Sequence, residues 1–145
     1  MRIQAFKYEL RKRQPGNHAH LTGPNLRARL VDALTRIEAH ERGVAARYAK
    51  SVAALPGVTV WGQGFAAGRR TPTVAITLAG VSPTEAARRL GEQGVLVGDG
   101  HFYAQRAAEM LGLAEGGVLR AGMSLYTTDA EVDRLVAGLA SLAGR

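Results

Sequence analysis

Apolar residues recur every three, four or seven positions between Leu26 and Val52, which is the spacing of one face of an α-helix. Asn25 is placed to cap this helix, and Pro56-Gly57 ends it. The pattern predicts a single long helix. Its predicted buried face consists of Leu26, Leu30, Leu34, Ile37, Val44, Tyr48 and Val52.

After this helix the hydrophobic pattern indicates shorter elements. Four segments have the alternating or β-branched composition of strands, and they are residues 58–61, 73–78, 95–97 and 118–123. Ser82-Pro83-Thr84-Glu85 and Thr128-Asp129-Ala130-Glu131 are capping boxes that open helices ending near Gly94 and at Ala143. A further helix is predicted over residues 101–111.

The predicted order is helix, strand, strand, helix, strand, helix, strand, helix. Such an order indicates an α/β or α+β sandwich, in which helices pack on a small mixed sheet of about four strands. We assign residues 1–25 to a basic N-terminal arm and residues 26–145 to this domain.

The composition is that of a globular chain, with 46% hydrophobic and 21% charged residues among 145. No apolar run approaches the roughly 18 residues that cross a membrane, and the first ten residues lack the apolar core of a signal peptide. We therefore expect a cytoplasmic protein with no membrane partner.

The sequence contains no cysteine, which excludes disulfides, thiolate catalysis and cysteine-based metal sites from this chain. No serine lies in the strand-turn-helix context of a hydrolase nucleophile. The histidines lack the paired spacing of a metal site, so no metal is expected; they are His18, His20, His40 and His101.

The net charge of +7 comes entirely from the first third of the chain. Residues 1–50 hold 11 Lys and Arg against 4 Asp and Glu, whereas residues 51–145 hold 8 of each kind. Nucleic-acid binding by the basic arm and the basic helix is one interpretation. A charged helix face is more often simply solvated, and the aromatic residues are too scattered to stack bases, so we expect no nucleic-acid partner.

Arg120 is the residue that the apolar pattern does not explain. It lies in the apolar segment 118–123, where an unpaired guanidinium would be costly to bury. It alternates with Val118 and Gly122, so these three residues share one strand face, and Gly122 leaves space beside the guanidinium. Arg120 either pairs with an acidic neighbour, reaches solvent from an edge strand, or binds a planar carboxylate.

Two further candidates follow the flexible turn Gly98-Asp99-Gly100. His101 is equally consistent with a position facing a cleft and with a structural position. Tyr103, at the start of a predicted helix, is by position more typical of a core residue.

Three segments, in the same order, resemble the small domain of class V aminotransferases of the cysteine desulfurase type. Residues 120–133, RAGMSLYTTDAEVD, resemble the signature Arg-x-Ser, Tyr-Asn-Thr and Glu-x-Asp. Residues 94–104, GVLVGDGHFYA, resemble the segment Gly-Ile-x-Val-Arg-x-Gly-His-x-Cys-Ala. Residues 37–62 resemble the helix and the Leu-Pro-Gly-Val strand that begin the same domain. The resemblance covers roughly residues 26–145.

This resemblance implies the C-terminal small domain of a fold-type I pyridoxal-phosphate (PLP) enzyme. By the likeness, Arg120 binds the carboxylate of an amino-acid substrate, and His101 and Tyr103 lie on the substrate-binding loop that borders the active site. The stretch 6–23, with Asn17 and His18, resembles a segment that reaches the cofactor of the partner subunit.

The sequence also departs from the family pattern. Tyr103 stands where a desulfurase has its nucleophilic cysteine, so a persulfide route is not available and the desulfurase-like and epimerase-like branch is indicated. Gly98 and Thr127 replace an arginine and an asparagine. The large domain has no counterpart, and no lysine lies in the context of the Schiff-base lysine; the lysines are Lys7, Lys12 and Lys50.

The sequence therefore predicts an isolated or truncated C-terminal domain of a PLP-dependent, cysteine desulfurase-like protein. PLP is expected by resemblance only and is not expected to be held covalently by this chain alone, which by itself is not expected to be catalytically competent. The expected partner is a large-domain chain or a second copy. The alternative is a non-catalytic module that self-associates or binds another protein through the same fold.

Overall fold

The structure is a computed structural model that describes residues 25–143. Within these residues the chain divides into two units, residues 25–36 and residues 37–143. A 3₁₀ turn, Phe65–Ala67, lies between the first two strands. The elements in chain order are α1 (Leu26–Ala53), β1 (Val58–Trp61), β2 (Thr73–Leu78), α2 (Pro83–Glu92), β3 (Gly98–Gly100), α3 (Gln105–Met110), β4 (Val118–Gly122) and α4 (Asp129–Ala143).

This order of elements and the fold class are as predicted. The four strands form one open sheet in the order β1-β2-β4-β3. All three strand pairs in the described part of the chain are antiparallel, so the expectation of a mixed sheet is wrong. The reason is topological: β2 and β3 run in the same direction, but β4 lies between them and is antiparallel to both.

The hydrophobic core lies on one face of the sheet. Burial alternates strictly along β2, where Val74, Ile76 and Leu78 are buried, and the register places Ile76 opposite Leu119 of β4. Each large aliphatic side chain buried in this way contributes on the order of 1.5–3 kcal/mol. The helices complete the core with Tyr48 and Val52 from α1, Ala86 and Leu90 from α2, and Val132, Leu135, Leu139 and Leu142 from α4.

The predicted buried face of the long helix is only partly confirmed. Val44, Tyr48 and Val52 are buried, but Leu30 and Leu34 are 52% and 63% exposed. The apolar period therefore continues beyond the part of α1 that belongs to the core.

The predicted strand at residues 95–97 is wrong because the backbone there caps α2. The N–H of Val95 donates to the carbonyl of Leu90, and the N–H of Gly94 donates to that of Gly91, with Gly94 at φ +73°. These two bonds form the Schellman motif that ends a helix. Strand β3 begins only afterwards, at Gly98.

The capping box at Thr128 is confirmed. At Ser82 the N-cap bond is confirmed, but in the described part of the chain the Glu85 carboxylate accepts from Arg88 and Arg89 and not from the Ser82 N–H. The Ser82 hydroxyl accepts from the backbone N–H of Glu85 at 3.2 Å. The Thr128 hydroxyl accepts from the backbone N–H of Glu131 at 3.3 Å, and the Glu131 carboxylate accepts from the Thr128 N–H at 2.9 Å. None of the helices within residues 25–143 has the length and hydropathy needed to cross a membrane.

Candidate functional site

Arg120 lies at the centre of β4, on the sheet face opposite the core. Its neighbours Leu119 and Ala121 are buried, whereas Arg120 is exposed. Across the ladders it lies opposite Ala75 of β2 and Gly98 of β3. We call this side of the sheet the outer face; it comprises Thr59, Trp61, Thr73, Ala75, Thr77, Gly98, Gly100, Val118, Arg120 and Gly122.

The guanidinium of Arg120 makes one side-chain contact within the described part of the chain. Its Cζ atom lies 4.1 Å from the centroid of the Phe102 ring, which is the geometry of a cation–π interaction. No ion pair or side-chain hydrogen bond joins Arg120 to any residue between 25 and 143. Its N–H donors therefore remain available to an external planar acceptor.

Two structural explanations were open for Arg120: an ion pair with an acidic neighbour, and a position on an edge strand. Neither describes its arrangement within residues 25–143. β4 is an interior strand of the sheet. The carboxylate nearest along the ladder, on Asp99, lies opposite Leu119 and so belongs to the core side, where it accepts from the Thr84 hydroxyl at 2.7 Å. Asp99 is therefore not a partner of Arg120.

Phe102 is brought to Arg120 by a tight turn over residues 101–104. The N–H of Ala104 donates to the carbonyl of His101 at 2.9 Å, and the two central residues, Phe102 and Tyr103, have φ of 52° and 62°. Two left-handed central residues are typical of a type I′ turn, which normally takes Asn or Gly. This turn delays α3, which begins at Gln105 and not at residue 101 as predicted.

Tyr103 is the second central residue of the same turn, and its side chain is fully exposed. Its interpretation as a core residue is therefore wrong. The turn directs the side chains of Phe102 and Tyr103 to different surroundings, since Phe102 is half-buried against Arg120. Among the described residues, no hydrogen bond or ion pair engages Tyr103.

His101 is half-buried and is tied to the loop before β4. Its Nε2 lies 2.7 Å from the carbonyl oxygen of Ala114. Because a carbonyl only accepts, Nε2 carries the hydrogen and donates. His101 therefore helps to fix the turn that presents Phe102.

Gly117 allows this loop to close against β3. A Cβ atom on Gly117 would lie 2.3 Å from the carbonyl carbon and oxygen of Gly100 and 2.9 Å from the N atom of His101, and its φ is +71°. Only glycine fits such an approach. The backbone beside His101 is therefore held directly against the start of β4.

The turn after β4 is stabilised by Thr127. Its hydroxyl accepts from the N–H of Ser124 at 2.9 Å, and its carbonyl lies 3.1 Å from Nε2 of His40. Thr127 thus has a local structural role at the position where the family signature has asparagine.

Several arginines of the basic helix α1 have partners within the fold. Arg42 donates to the carbonyls of Phe65 and Gly68, the latter at 2.9 Å. Arg47 pairs with Asp133 and donates to the carbonyl of Asp129 at 3.2 Å. These two cations are therefore part of the packing between elements.

The described residues do not fit a PLP-holding site. Lys50, the single lysine between residues 25 and 143, is exposed in the last turn of α1. No polar or charged residue is buried in this range, and Tyr48 contributes the hydroxyl of an otherwise apolar core. No buried carboxylate is therefore present there to pair with a pyridinium nitrogen. No metal-binding cluster of His, Asp and Glu occurs in the same range.

Of the residues predicted for the site, the structure places Arg120, His101 and Tyr103 on β4 and the adjoining turn. Asn17 and His18 lie outside the described residues. Phe102 was missed by the sequence reasoning. Its only signal was the glycine at position 98, which lies beside the aromatic ring.

Comparison with known proteins identifies the relatives of this chain. The sequence model of the family Aminotransferase class-V matches residues 17–135. A probable cysteine desulfurase 2 of Mycobacterium leprae is 34% identical over 114 residues, which cover 77% of this chain and 27% of that protein. The aminotransferase-like protein FGM3 of Gibberella zeae is 32% identical over 71% of this chain and 26% of its own length. The chain spans about a quarter of the length of these curated relatives.

Solved structures agree with this assignment. The cysteine desulfurase CsdA from Escherichia coli matches with a TM-score of 0.63 and 27% identity, over 70% of this chain and 24% of that one. The cysteine desulfurase from Thermococcus onnurineus NA1, at 23% identity, shares the fold with a TM-score of 0.72 over 82% of this chain and 29% of its own. With most of its length matched by the family model, this chain is a member of the class-V aminotransferase family.

Proposed function

We propose that the chain is the C-terminal small domain of a cysteine desulfurase-like class V protein and that it contributes Arg120 as the group that binds a substrate carboxylate. The observation that carries this proposal is the environment of the Arg120 guanidinium. It is exposed on the outer face, stacked on Phe102, and without a carboxylate partner within residues 25–143. A guanidinium presents its donors in a fork that matches a carboxylate.

The surrounding residues support the proposed role by orienting Arg120. Gly98 and Ala75, its ladder partners, have no bulky side chain that would cover the guanidinium. His101 fixes the turn through its bond to Ala114, and Tyr103 stands exposed beside it, where a substrate or a partner chain can contact it.

PLP is the cofactor that the family implies, and when bound it supplies the electron sink for reactions at the amino-acid α-carbon. The described residues do not provide the lysine context or the buried acid for it. We therefore propose that the cofactor is held by sequence outside this chain, on a large-domain partner.

Exposed apolar side chains favour the second candidate, a surface that binds another chain. Leu96 is 90% exposed and Met110 is 76% exposed, and Tyr103 and Tyr126 add exposed aromatic area. Such surface favours association with a large domain or with a second copy. Light scattering that gives a monomer at all concentrations would count against self-association.

The carboxylate proposal is tested by titrating the ¹⁵N-arginine-labelled chain with sodium acetate at constant ionic strength, using sodium chloride as balance. We expect a weak, saturable shift of the Arg120 Nε–Hε resonance, which is assigned by its loss in Arg120→Lys. Arg106, an exposed arginine that pairs with Glu109 at 3.2 Å, is the internal control and should not shift. Equal shifts at Arg106 and Arg120 would contradict specific binding.

A further inference from the structure

We infer that Phe102 is the positioning residue of Arg120, and that Gly98 is the position that makes room for the Phe102 ring. The inference rests on the proposed function, in which Arg120 binds a carboxylate. It concerns three residues from three segments: β3, the 101–104 turn and β4.

The three residues are packed as a unit. Gly98 and Arg120 lie directly opposite each other across the β3–β4 ladder. The Arg120 Cζ lies 4.1 Å from the Phe102 ring centroid. A Cβ atom on Gly98 would lie 3.0 Å from Cζ and 3.1 Å from Cε1 of the same ring. The ring therefore lies against both the position of a Gly98 side chain and the guanidinium.

Any side chain at position 98 would compete with this ring. Contacts of 3.0–3.1 Å are shorter than ordinary van der Waals separations, so even a methyl group would force the ring to move. The φ of Gly98 is not in the left-handed region, so the backbone itself would tolerate alanine. Glycine at this position is thus explained by the ring and not by backbone conformation.

The turn conformation serves the same contact. Phe102 and Tyr103 both adopt left-handed backbone angles that β-carbon-bearing residues disfavour, and Ala104 closes the turn onto His101. Strain of this kind persists only where the surrounding structure enforces it, and it is concentrated at functional sites. Here it turns the Phe102 side chain towards the guanidinium.

Stacking has a direct consequence for binding. The ring centroid lies 4.1 Å from Cζ and takes up none of the N–H donors, which remain available to a carboxylate that approaches in the guanidinium plane. The ring also restricts the rotamers of Arg120 before a ligand arrives, so less side-chain entropy is lost on binding. Loss of the stack should therefore weaken acetate binding without abolishing it.

The test uses the acetate titration on variants of the full chain. In Phe102→Leu we expect the dissociation constant for acetate at Arg120 to rise about 2- to 5-fold, the range of an exposed cation–π contact. Phe102→Tyr keeps an aromatic ring at this position and should bind acetate as tightly as the wild type. Gly98→Ala displaces the ring by only a few tenths of an ångström, so it should weaken binding less than Phe102→Leu. Gly64→Ala, at a glycine with extended φ and open space around its Cβ, is the matched control and should bind as wild type.

A second readout separates positioning from general stability. In the wild-type chain without acetate, the ring current of Phe102 should shift the side-chain protons of Arg120 upfield. Phe102→Leu should lose this shift, and Gly98→Ala should reduce it. The double variant should bind acetate no more weakly than Phe102→Leu alone, because the ring that Gly98→Ala displaces is already absent from that variant.

The outcomes distinguish the inference from the function on which it rests. Saturable binding at Arg120 that is unchanged in Phe102→Leu and Gly98→Ala would overturn the positioning role and leave the carboxylate role intact. Absence of the upfield shift of the Arg120 protons in the wild type would also overturn the positioning role of Phe102. No saturable shift at Arg120 in the wild type would refute the carboxylate role itself.

Discussion

At the scale of single residues, Tyr103 combines a fully exposed side chain with a φ of 62°. Asparagine tolerates this backbone region better than tyrosine, and replacing an exposed ring sacrifices no burial. We predict that Tyr103→Asn raises the free energy of unfolding by about 1 kcal/mol, the scale of left-handed strain. Urea denaturation followed by circular dichroism measures the change. A loss of stability would show that Tyr103 makes contacts that the structure does not reveal.

Tyr48 is the second residue with a direct prediction. Its side chain is fully buried, and its hydroxyl has no hydrogen-bond partner among residues 25–143. Burial raises the pKa of this phenol, because the charged form is desolvated. An unsatisfied buried hydroxyl costs about 1–3 kcal/mol, so Tyr48→Phe should leave the free energy of unfolding unchanged or increase it.

The exposed Tyr126 supplies the matched control for this substitution, since Tyr126→Phe removes a hydroxyl that water can solvate. Both variants are compared by urea denaturation. A loss of more than about 1 kcal/mol in Tyr48→Phe alone would mean that the buried hydroxyl is in fact bonded.

Arg120 and Phe102 show which site residues a sequence reveals. Arg120 stands out because a charge interrupts an apolar, alternating segment, and that contrast is local. Phe102 does not stand out, because its role depends on left-handed backbone angles and on the absence of a side chain at Gly98 across the ladder. Hydrophobic periodicity carries no information about either feature.

At the scale of elements, the loop between β1 and β2 is held by arginines. Arg42 of α1 donates to two carbonyls of this loop, at Phe65 and Gly68. Arg69 donates to both oxygens of Glu38, at 3.0 and 2.7 Å, and these hydrogen bonds hold the pKa of Glu38 below its usual value. The loop is thus attached to α1 from both sides.

We predict that Arg42→Ala lowers the free energy of unfolding by about 1–2 kcal/mol, because charge-assisted bonds to two carbonyls are lost. In Arg42→Ala, amide hydrogen exchange in the loop of residues 62–72 should be faster than in the wild type, and the increase should be larger there than in the strands. Arg36→Ala is the control, since Arg36 forms an exposed pair with Asp32 within the helix and such pairs contribute little. Unchanged exchange in the loop would disprove the attachment.

Helix α2 carries a pH-dependent cluster. Hydrogen bonds from Arg88, at 2.8 Å, and then from Arg89, at 2.6 Å, lower the pKa of Glu85 to about 2. A carboxylate with a lowered pKa stabilises the fold fully above its unfolded value, near 4.3, and loses that contribution as the pH falls towards 2.

Thermal midpoints between pH 6 and pH 2.5 should therefore fall more steeply in the wild type than in Glu85→Gln. Glu115→Gln, at a carboxylate without an ion pair in the described part of the chain, should retain the wild-type slope. Identical slopes for the wild type and Glu85→Gln would show that the Glu85 cluster does not contribute to acid sensitivity.

The elements that the sequence predicted correctly are those with local signals. The N-cap at Ser82, the capping box at Thr128 and the alternation in β2 involve residues within a few positions of each other. β3 was misplaced because three apolar residues, 95–97, have strand composition while the Schellman motif uses the N–H of Val95. The face of α1 near Leu30 and Leu34 was wrongly predicted to be buried. The helical period of apolar residues shows which residues share a face, but not whether another element packs on that face.

At the scale of the whole molecule, the chain has the fold of its desulfurase-like relatives but about a quarter of their length. We propose that it binds a carboxylate and that another chain holds the cofactor. We predict that incubation with PLP and borohydride yields no stoichiometric adduct on a specific lysine, as judged by peptide mass spectrometry. A single fully modified lysine would show that the chain holds the cofactor covalently.

The most direct test of the central claim is the acetate titration followed at Arg120. We predict a saturable shift of the Arg120 Nε–Hε resonance that is absent from Arg106 and from the chloride control. A response at Arg120 that does not saturate, or that chloride reproduces at equal ionic strength, would contradict the claim that Arg120 is a carboxylate-binding group.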